Sequence, residues 1–221
     1  MHRQVFPQWQ APPERPGLSP GRIDIWRIDL APAGRHPVFA QTDSQPGGRH
    51  PQGRQRDAAH LAMRDILGRY LDCPPDRLQL CVRPGGKPYI DKVGAPIEFN
   101  LSHSLDIALF AVTSGLSVGI DVEVQRDIDD PLRLARRVMP ADDIARLETL
   151  PPADRAENFL DLWTRMEARQ KAIGRGIFAQ AADPAQLSSF SFRPGQGLHA
   201  SLSISPATPG IELRFFNFNK V

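Results

Sequence analysis

One stretch constrains this chain more than any other: Ser117-Val118-Gly119-Ile120-Asp121-Val122-Glu123-Val124. Val118, Ile120, Val122 and Val124 alternate with Gly119, Asp121 and Glu123, the period of a strand with one buried face. The apolar set turns to a core. Asp121 and Glu123 are left side by side on the other face, about 6–7 Å apart at about 3.3 Å per residue. Two carboxylates so placed repel each other unless positive charge stands between them. A hard divalent cation with oxygen ligands meets that need. The same pattern also suits an edge strand with a solvated acidic face.

The flanking chain alternates strand and helix signals. Residues 1–20, rich in Pro and Gln, predict a flexible segment or one draped over the surface. Residues 22–30 alternate cleanly and predict a first strand. Residues 31–53 predict a long loop, the kind that is functional or mobile in a compact domain, carrying Arg35, Arg49 and, just beyond, Arg54. Residues 57–71 predict a helix with Leu61, Ile66, Leu67, Tyr70 and Leu71 on one broad face, ended by Pro74-Pro75. Residues 78–82 predict a strand, and Pro84-Gly85-Gly86-Lys87-Pro88 a tight turn that presents Lys87. A short strand at Tyr89-Ile90 follows. Two apolar strands, 97–101 and 107–113, enclose a polar turn, Ser102-His103-Ser104-Leu105-Asp106.

Helices are expected at 131–138, 141–150 and 156–173. The last has Phe159, Leu162, Trp163, Met166 and Ile173 as its stripe and Gly174 as its stop. Residues 187–193, 198–204 and 211–218 predict strands of a closing sheet. Strands with a long helix, then strands with a long helix again, suit an α+β protein of two similar halves, 21–115 and 116–221, behind the flexible segment 1–20.

Length and charge narrow the classes. A chain of 221 residues can bury a core. A net charge of +2 is too small to argue for nucleic-acid binding. Lys87, Lys92, Lys171 and Lys220 are the only lysines, so each merits attention. Cys73 and Cys81 lack metal-ligand spacing and suit a reduced, cytoplasmic protein. No apolar stretch near the N-terminus suits a signal peptide, and none approaches a membrane span.

Three further groups carry possible chemistry. Glu167 and Lys171 lie four residues apart on the last helix. They form either a surface ion pair or, if the helix faces the acidic strand, a third carboxylate and a cation for an anion. Ser102-His103-Ser104 reads as a locally bonded turn, as a hydrolase pair, or as anion donors. No Gly-x-Ser-x-Gly elbow supports the second reading, and hydroxyls and an imidazole at strand ends suit phosphate oxygens. Lys87 adds a point charge for phosphate, although Gly85-Gly86 is not a Walker loop.

Taken in order, the motifs are far more specific. They run Gly86-Lys87-Pro88, Phe99-Asn100-Leu101-Ser102-His103-Ser104, Gly119-Ile120-Asp121-Val122-Glu123, and Trp163-Thr164-x-x-Glu167-Ala168-x-x-Lys171-Ala172-x-Gly174-x-Gly176. This series closely resembles the 4'-phosphopantetheinyl transferases of the longer Sfp type, over most of the chain. The resemblance implies two similar α+β halves in pseudo-twofold arrangement, in a monomeric chain, with coenzyme A in the cleft between them. It implies transfer of the phosphopantetheine arm to a serine of an apo acyl, peptidyl or aryl carrier protein, releasing adenosine 3',5'-bisphosphate. Asp121, Glu123 and Glu167 would hold Mg²⁺, Lys171 would contact the pyrophosphate, and Glu167 would be the general base. Lys87, Ser102 and His103 would hold the nucleotide end, with Arg56, and Arg54 close behind it, as a further phosphate contact.

Two departures stand out. Most relatives carry Lys where this chain has Met166, and the chain stops at Asn219-Lys220-Val221, where relatives usually add a small strand. They leave a second hypothesis, a non-catalytic descendant that binds coenzyme A or carrier proteins. A metal phosphoesterase is a third, weakened by the lack of further His or Asp ligands around Asp121.

Overall fold

The computed structural model describes residues 5–31, 51–91, 97–174 and 186–218. Most of the expected 31–53 loop, with Arg35 and Arg49, lies outside these residues, as do Lys92, Gly176 and the final residues 219–221. The strands are β1 (Arg22–Asp29), β2 (Leu80–Val82), β3 (Pro88–Ile90), β4 (Ile97–Ser104), β5 (Ile107–Ser114), β6 (Ser117–Val124), β7 (Ser188–Phe192), β8 (Leu198–Ser205) and β9 (Glu212–Phe218). The helices are α1 (Pro51–Leu71), α2 (Pro131–Val138), α3 (Ala141–Glu148) and α4 (Pro152–Ile173). The mixture is α+β, as expected. Among the described residues no helix is long and apolar enough to cross a membrane.

The first sheet has the order β4-β5-β1-β9, antiparallel except that β9 runs parallel to β1. The second main sheet, β6-β8-β7, is antiparallel throughout, and β2 and β3 form a small hairpin. Period-two alternation divides the first sheet into two apolar faces. Trp26, Phe99, Phe110, Val112 and Phe216 receive Ala59, Met63, Ile66 and Leu67 of α1. Ile23, Ile25, Leu109 and Ala111 on the reverse face pack against Val118, Ile120, Leu202 and Ile204 of the second sheet. α4 covers the outer face of that sheet, with α2 and α3 packed on it through Ala135, Leu147 and Phe159.

Gly119 sets how closely α4 lies on β6. A Cβ at that position would stand 2.1 Å from the Ala168 carbonyl oxygen and 2.4 Å from the Ala172 nitrogen. Only a residue without a side chain allows this approach. At the far end of α4, Gly174 has φ 68° and closes the helix as the sequence predicts.

Several expectations need correction. Helix α1 begins at Pro51, not at residue 57, and Leu61 is 55% exposed, off the stripe Ala59, Ala62/Met63, Ile66/Leu67. Ser102, His103 and Ser104 are not a turn but the end of β4; the turn is Leu105-Asp106, with Leu105 at φ 49°. β9 does not close the second sheet but joins the first. Arg214 of β9 there donates two hydrogen bonds, 2.8 and 2.7 Å, to the buried carboxylate of Asp24 on β1. The Tyr70 hydroxyl of α1 donates a third at 2.6 Å. Burial and the Asp24 charge push the Tyr70 hydroxyl pKa up.

The leading segment is pinned where it is described. Gln10 pairs with β9, and Trp9 Nε1 donates to the Pro194 carbonyl at 3.0 Å. Cys73 and Cys81 are both free.

The close packing at Gly119 yields a stability test. Gly119→Ala is expected to cost about 1–3 kcal/mol by overpacking α4 against β6. A thermal melt unchanged from wild type would contradict this contact.

Candidate active site at the seam between two sheets

Strand β4 ends the first sheet and β6 ends the second, so each has an open edge. The two edges meet, but not through a backbone ladder. Alternate side chains of β4 reach across. Asn100 Oδ1 accepts the Ile120 backbone N–H at 2.8 Å. Ser102 Oγ donates to Asp121 Oδ1 at 2.8 Å. Ser104 Oγ donates to Glu123 Oε2 at 3.0 Å and accepts the Val124 N–H at 3.3 Å. Edge-strand amides that would otherwise face nothing are thereby satisfied, as a buried edge requires. The sequence reading of β6 as an edge strand is right, but its acidic face is covered, not solvated: Asp121 is 3% exposed.

α4 brings the other two predicted groups to this seam. Lys171 Nζ lies 2.6 Å from Asp121 Oδ1, 3.1 Å from Ser102 Oγ and 3.7 Å from Glu167 Oε2. The Glu167–Lys171 spacing is therefore more than a surface ion pair. Glu167 Oε2 stands within reach of the same ammonium that holds Asp121.

Burial raises the Asp121 pKa, opposed by the Lys171 charge and the Lys171 and Ser102 hydrogen bonds. Burial, followed by the negative charges of Asp121 and Glu123, pushes Glu167 up to about 7, against the pull of Lys171. These carboxylates thus feel one another.

Basic side chains gather on the opposite side. His103 of β4 is held below its ordinary pKa by burial and by the positive charges of His60, Lys171 and Arg56. Arg56 and His60 both stand on α1. Arg56 and His103 are exposed, so they face outward beside the carboxylate seam. Arg54 is also exposed on α1.

Lys87 departs from expectation. The turn does not present it; Lys87 is 7% exposed. Its ammonium donates to Ser117 Oγ and to the Val118 carbonyl, both at 2.9 Å, and lies 3.3 Å from Glu98 Oε2. Burial lowers its pKa. Ser117 Oγ in turn donates to the Ala172 carbonyl at 2.5 Å. Gly85 packs against the same helix end, where a Cβ would meet the Gly174 carbonyl oxygen at 1.9 Å. The Lys87 ammonium is a buried staple between β6 and α4, engaged by Ser117, Val118 and Glu98. Ser102 is 7% exposed, and its hydroxyl donates to Asp121. Met166 packs its side chain against the apolar cluster of α2, α3 and α4, so this position is spent on packing.

The sequence reading missed one polar cluster beside the seam. His199 Nδ1 lies 2.7 Å from Asp161 Oδ1, and Arg193 pairs with both Asp161 oxygens. Those partners hold Asp161 down to about 2 despite burial. His199 is the cross-strand neighbour of Glu123. No spacing signal joins residues 161, 193 and 199 in the sequence.

The donor set fits a divalent cation in chemistry. The residues are carboxylates, they repel one another, and the buried Asp121 Oδ2 has no hydrogen-bond partner. As placed, no group of three or more His, Cys, Asp or Glu among the described residues is disposed to hold a metal. The Lys171 ammonium stands among the carboxylates instead.

A model of the 4'-phosphopantetheinyl transferase superfamily matches residues 117–218, from β6 to β9. The 4'-phosphopantetheinyl transferase HetI of Nostoc sp. is 33% identical over 179 residues, 76% of this chain and 76% of the relative. The 4'-phosphopantetheinyl transferase AcpT of Salmonella typhi is 33% identical over 191 residues, 85% of this chain and 93% of the relative. A Synechocystis sp. protein, named as a candidate member of the same class, is 33% identical over 152 residues, 66% of this chain and 62% of its own length. The chain belongs to the 4'-phosphopantetheinyl transferase superfamily, a class of transferases.

The raised Glu167 pKa has a defined sign. Its folded-state value, about 7, lies above the ordinary 4.5. Ionisation therefore opposes folding: the stability is intact below about pH 4.5 and declines as pH rises through 7. Metal-free Glu167→Gln is expected to exceed wild type in stability at pH 8 by an amount on the order of 1–3 kcal/mol, with the gap shrinking towards pH 4.5. Parallel denaturant titrations at pH 4.5, 6 and 8 measure it, and a pH-independent difference would contradict the placement of Glu167.

Proposed function

We propose that the protein transfers the 4'-phosphopantetheine arm of coenzyme A to a serine hydroxyl of an apo acyl or peptidyl carrier protein, in the manner of the Sfp-type enzymes. The observation that carries this reading is the seam itself, where carboxylates on β6 and α4 meet Lys171 of α4, with Arg56 of α1 and the His103 imidazole of β4 beside them. A pyrophosphate needs positive charge along its oxygens and a fixed line of attack. Arg56 and His103 would contact the nucleotide phosphates and Lys171 the pyrophosphate. Asp121, Glu123 and Glu167 would hold Mg²⁺, which when bound neutralises charge on phosphate oxygens. One long helix on one sheet, on each side of the seam, supports a pseudo-twofold pair of halves with the ligand between them.

In this reading the carrier serine oxygen attacks the phosphorus that bears the pantetheine. The bond to the nucleotide oxygen breaks, and adenosine 3',5'-bisphosphate leaves. Glu167 takes the serine proton. The nucleophile comes from the partner, so the chain needs none of its own.

Incubation of the full chain with apo carrier proteins, coenzyme A and Mg²⁺, followed by intact-mass spectrometry, tests the reading. The expected result is a mass gain of one phosphopantetheine arm, lost with Glu167→Ala. Glu123→Ala is expected to fold as wild type and to lose about 10²-fold or more in rate, since even partners behind a metal ligand cost 10–100-fold. An active Glu123→Ala enzyme would overturn the three-carboxylate assignment. Coenzyme A binding with no transfer to any carrier would favour a non-catalytic binding protein.

A further inference from the structure

Among the described residues each carboxylate of β6 is tied down through one oxygen only. Asp121 Oδ1 takes the Ser102 hydroxyl and the Lys171 ammonium, while Oδ2 is buried with no partner. Glu123 Oε2 takes the Ser104 hydroxyl and Arg126, at 3.0 and 2.7 Å, and no hydrogen bond to Oε1 is found among the described residues. In both cases one β4 serine and one cation fix the same oxygen and leave the other without a hydrogen-bond partner among the described residues. The repetition follows from register. Ser102 and Ser104 are two apart on β4, and Asp121 and Glu123 are two apart on β6, so both pairs project at the same spacing.

We propose that Ser102 and Ser104 are positioning residues: they hold Asp121 and Glu123 so that the free oxygen of each is presented to a divalent cation. The inference rests on the assignment of Asp121 and Glu123 as metal ligands. It gives the two hydroxyls a task distinct from phosphate contact. Each hydroxyl has a single proton, and the carboxylate already holds it. Ser104 also accepts the Val124 N–H, which fixes the hydroxyl rotor and directs its proton at Glu123. Asn100 belongs to the same row but, among the described residues, bonds the Ile120 backbone and no carboxylate, so its part is to join the strands. Hydrogen-bonding partners behind a ligand commonly govern metal affinity by 10–100-fold.

The row contains its own control. Mg²⁺ is titrated calorimetrically into the full chain with coenzyme A present, and each variant is melted in parallel. Ser104→Ala is expected to weaken Mg²⁺ by about 10-fold or more. Ser104→Thr, which keeps the hydroxyl on a β-branched residue suited to a strand, restores most of it. Ser102→Ala provides a second case should Ser104→Ala fold poorly. Asn100→Ala is expected to melt at a lower temperature while its folded form binds Mg²⁺ as wild type does. Wild-type Mg²⁺ affinity in both serine variants would overturn the proposal, as would an equal loss in Asn100→Ala. If wild type itself takes up no Mg²⁺, the ligand assignment fails and the proposal falls with it.

Discussion

The structure depends on two open sheet edges that meet without pairing. A backbone ladder between β4 and β6 would have fused both sheets into one and spent every amide on the other strand. Side chains of Asn100, Ser102 and Ser104 fill that role instead. The gap this leaves is where acidic side chains stand. A seam made of side chains can be polar, while the faces behind it stay apolar: Val118, Ile120 and Val122 lie against Ile23, Ile25 and Leu109. The apolar core fixes the separation of the sheets, and the hydroxyls fix what happens at the edge.

The charge balance at the seam is deliberately incomplete. Asp121 and Glu167 share Lys171, Glu123 pairs with Arg126 outside, and Glu167 answers by holding its proton up to about neutral pH. Burying such a group costs stability, and that cost is the usual mark of a site kept for binding. The cost is met by staples away from the chemistry. Lys87, with its donors shared among Ser117, Val118 and Glu98, locks the start of β6 to the end of α4. Arg193 and His199 do the same from the other side through Asp161.

Much of this was legible in the sequence where the pattern is local. The alternation of β6 reads directly as a strand with Asp121 and Glu123 together. The four-residue spacing of Glu167 and Lys171 puts both on one stripe of α4. The failures share a cause: each depends on what lies across the fold. Ser102-His103-Ser104 carries small polar residues that favour turns, yet the two-residue period from Ile97 through Phe99 and Leu101 continues to His103, and β6 supplies the partner that makes it a strand. Lys87 follows two glycines, which suggests display; the close contact of Gly85 with Gly174, invisible in sequence, turns the display inward. Strand β9 has the composition of either sheet, and its place was decided by Asp24, a buried carboxylate that needs Arg214.

That last pairing bears on how the molecule is made. Asp24 and Arg214 are 190 positions apart. On a ribosome, β1 emerges early with one side occupied by nothing and a carboxylate that no guanidinium yet meets. The first sheet can be nucleated by β5, but its final edge and its charge balance wait for almost the whole chain. The first sheet is therefore completed by a strand translated long after β1, so its assembly waits on a long-range contact.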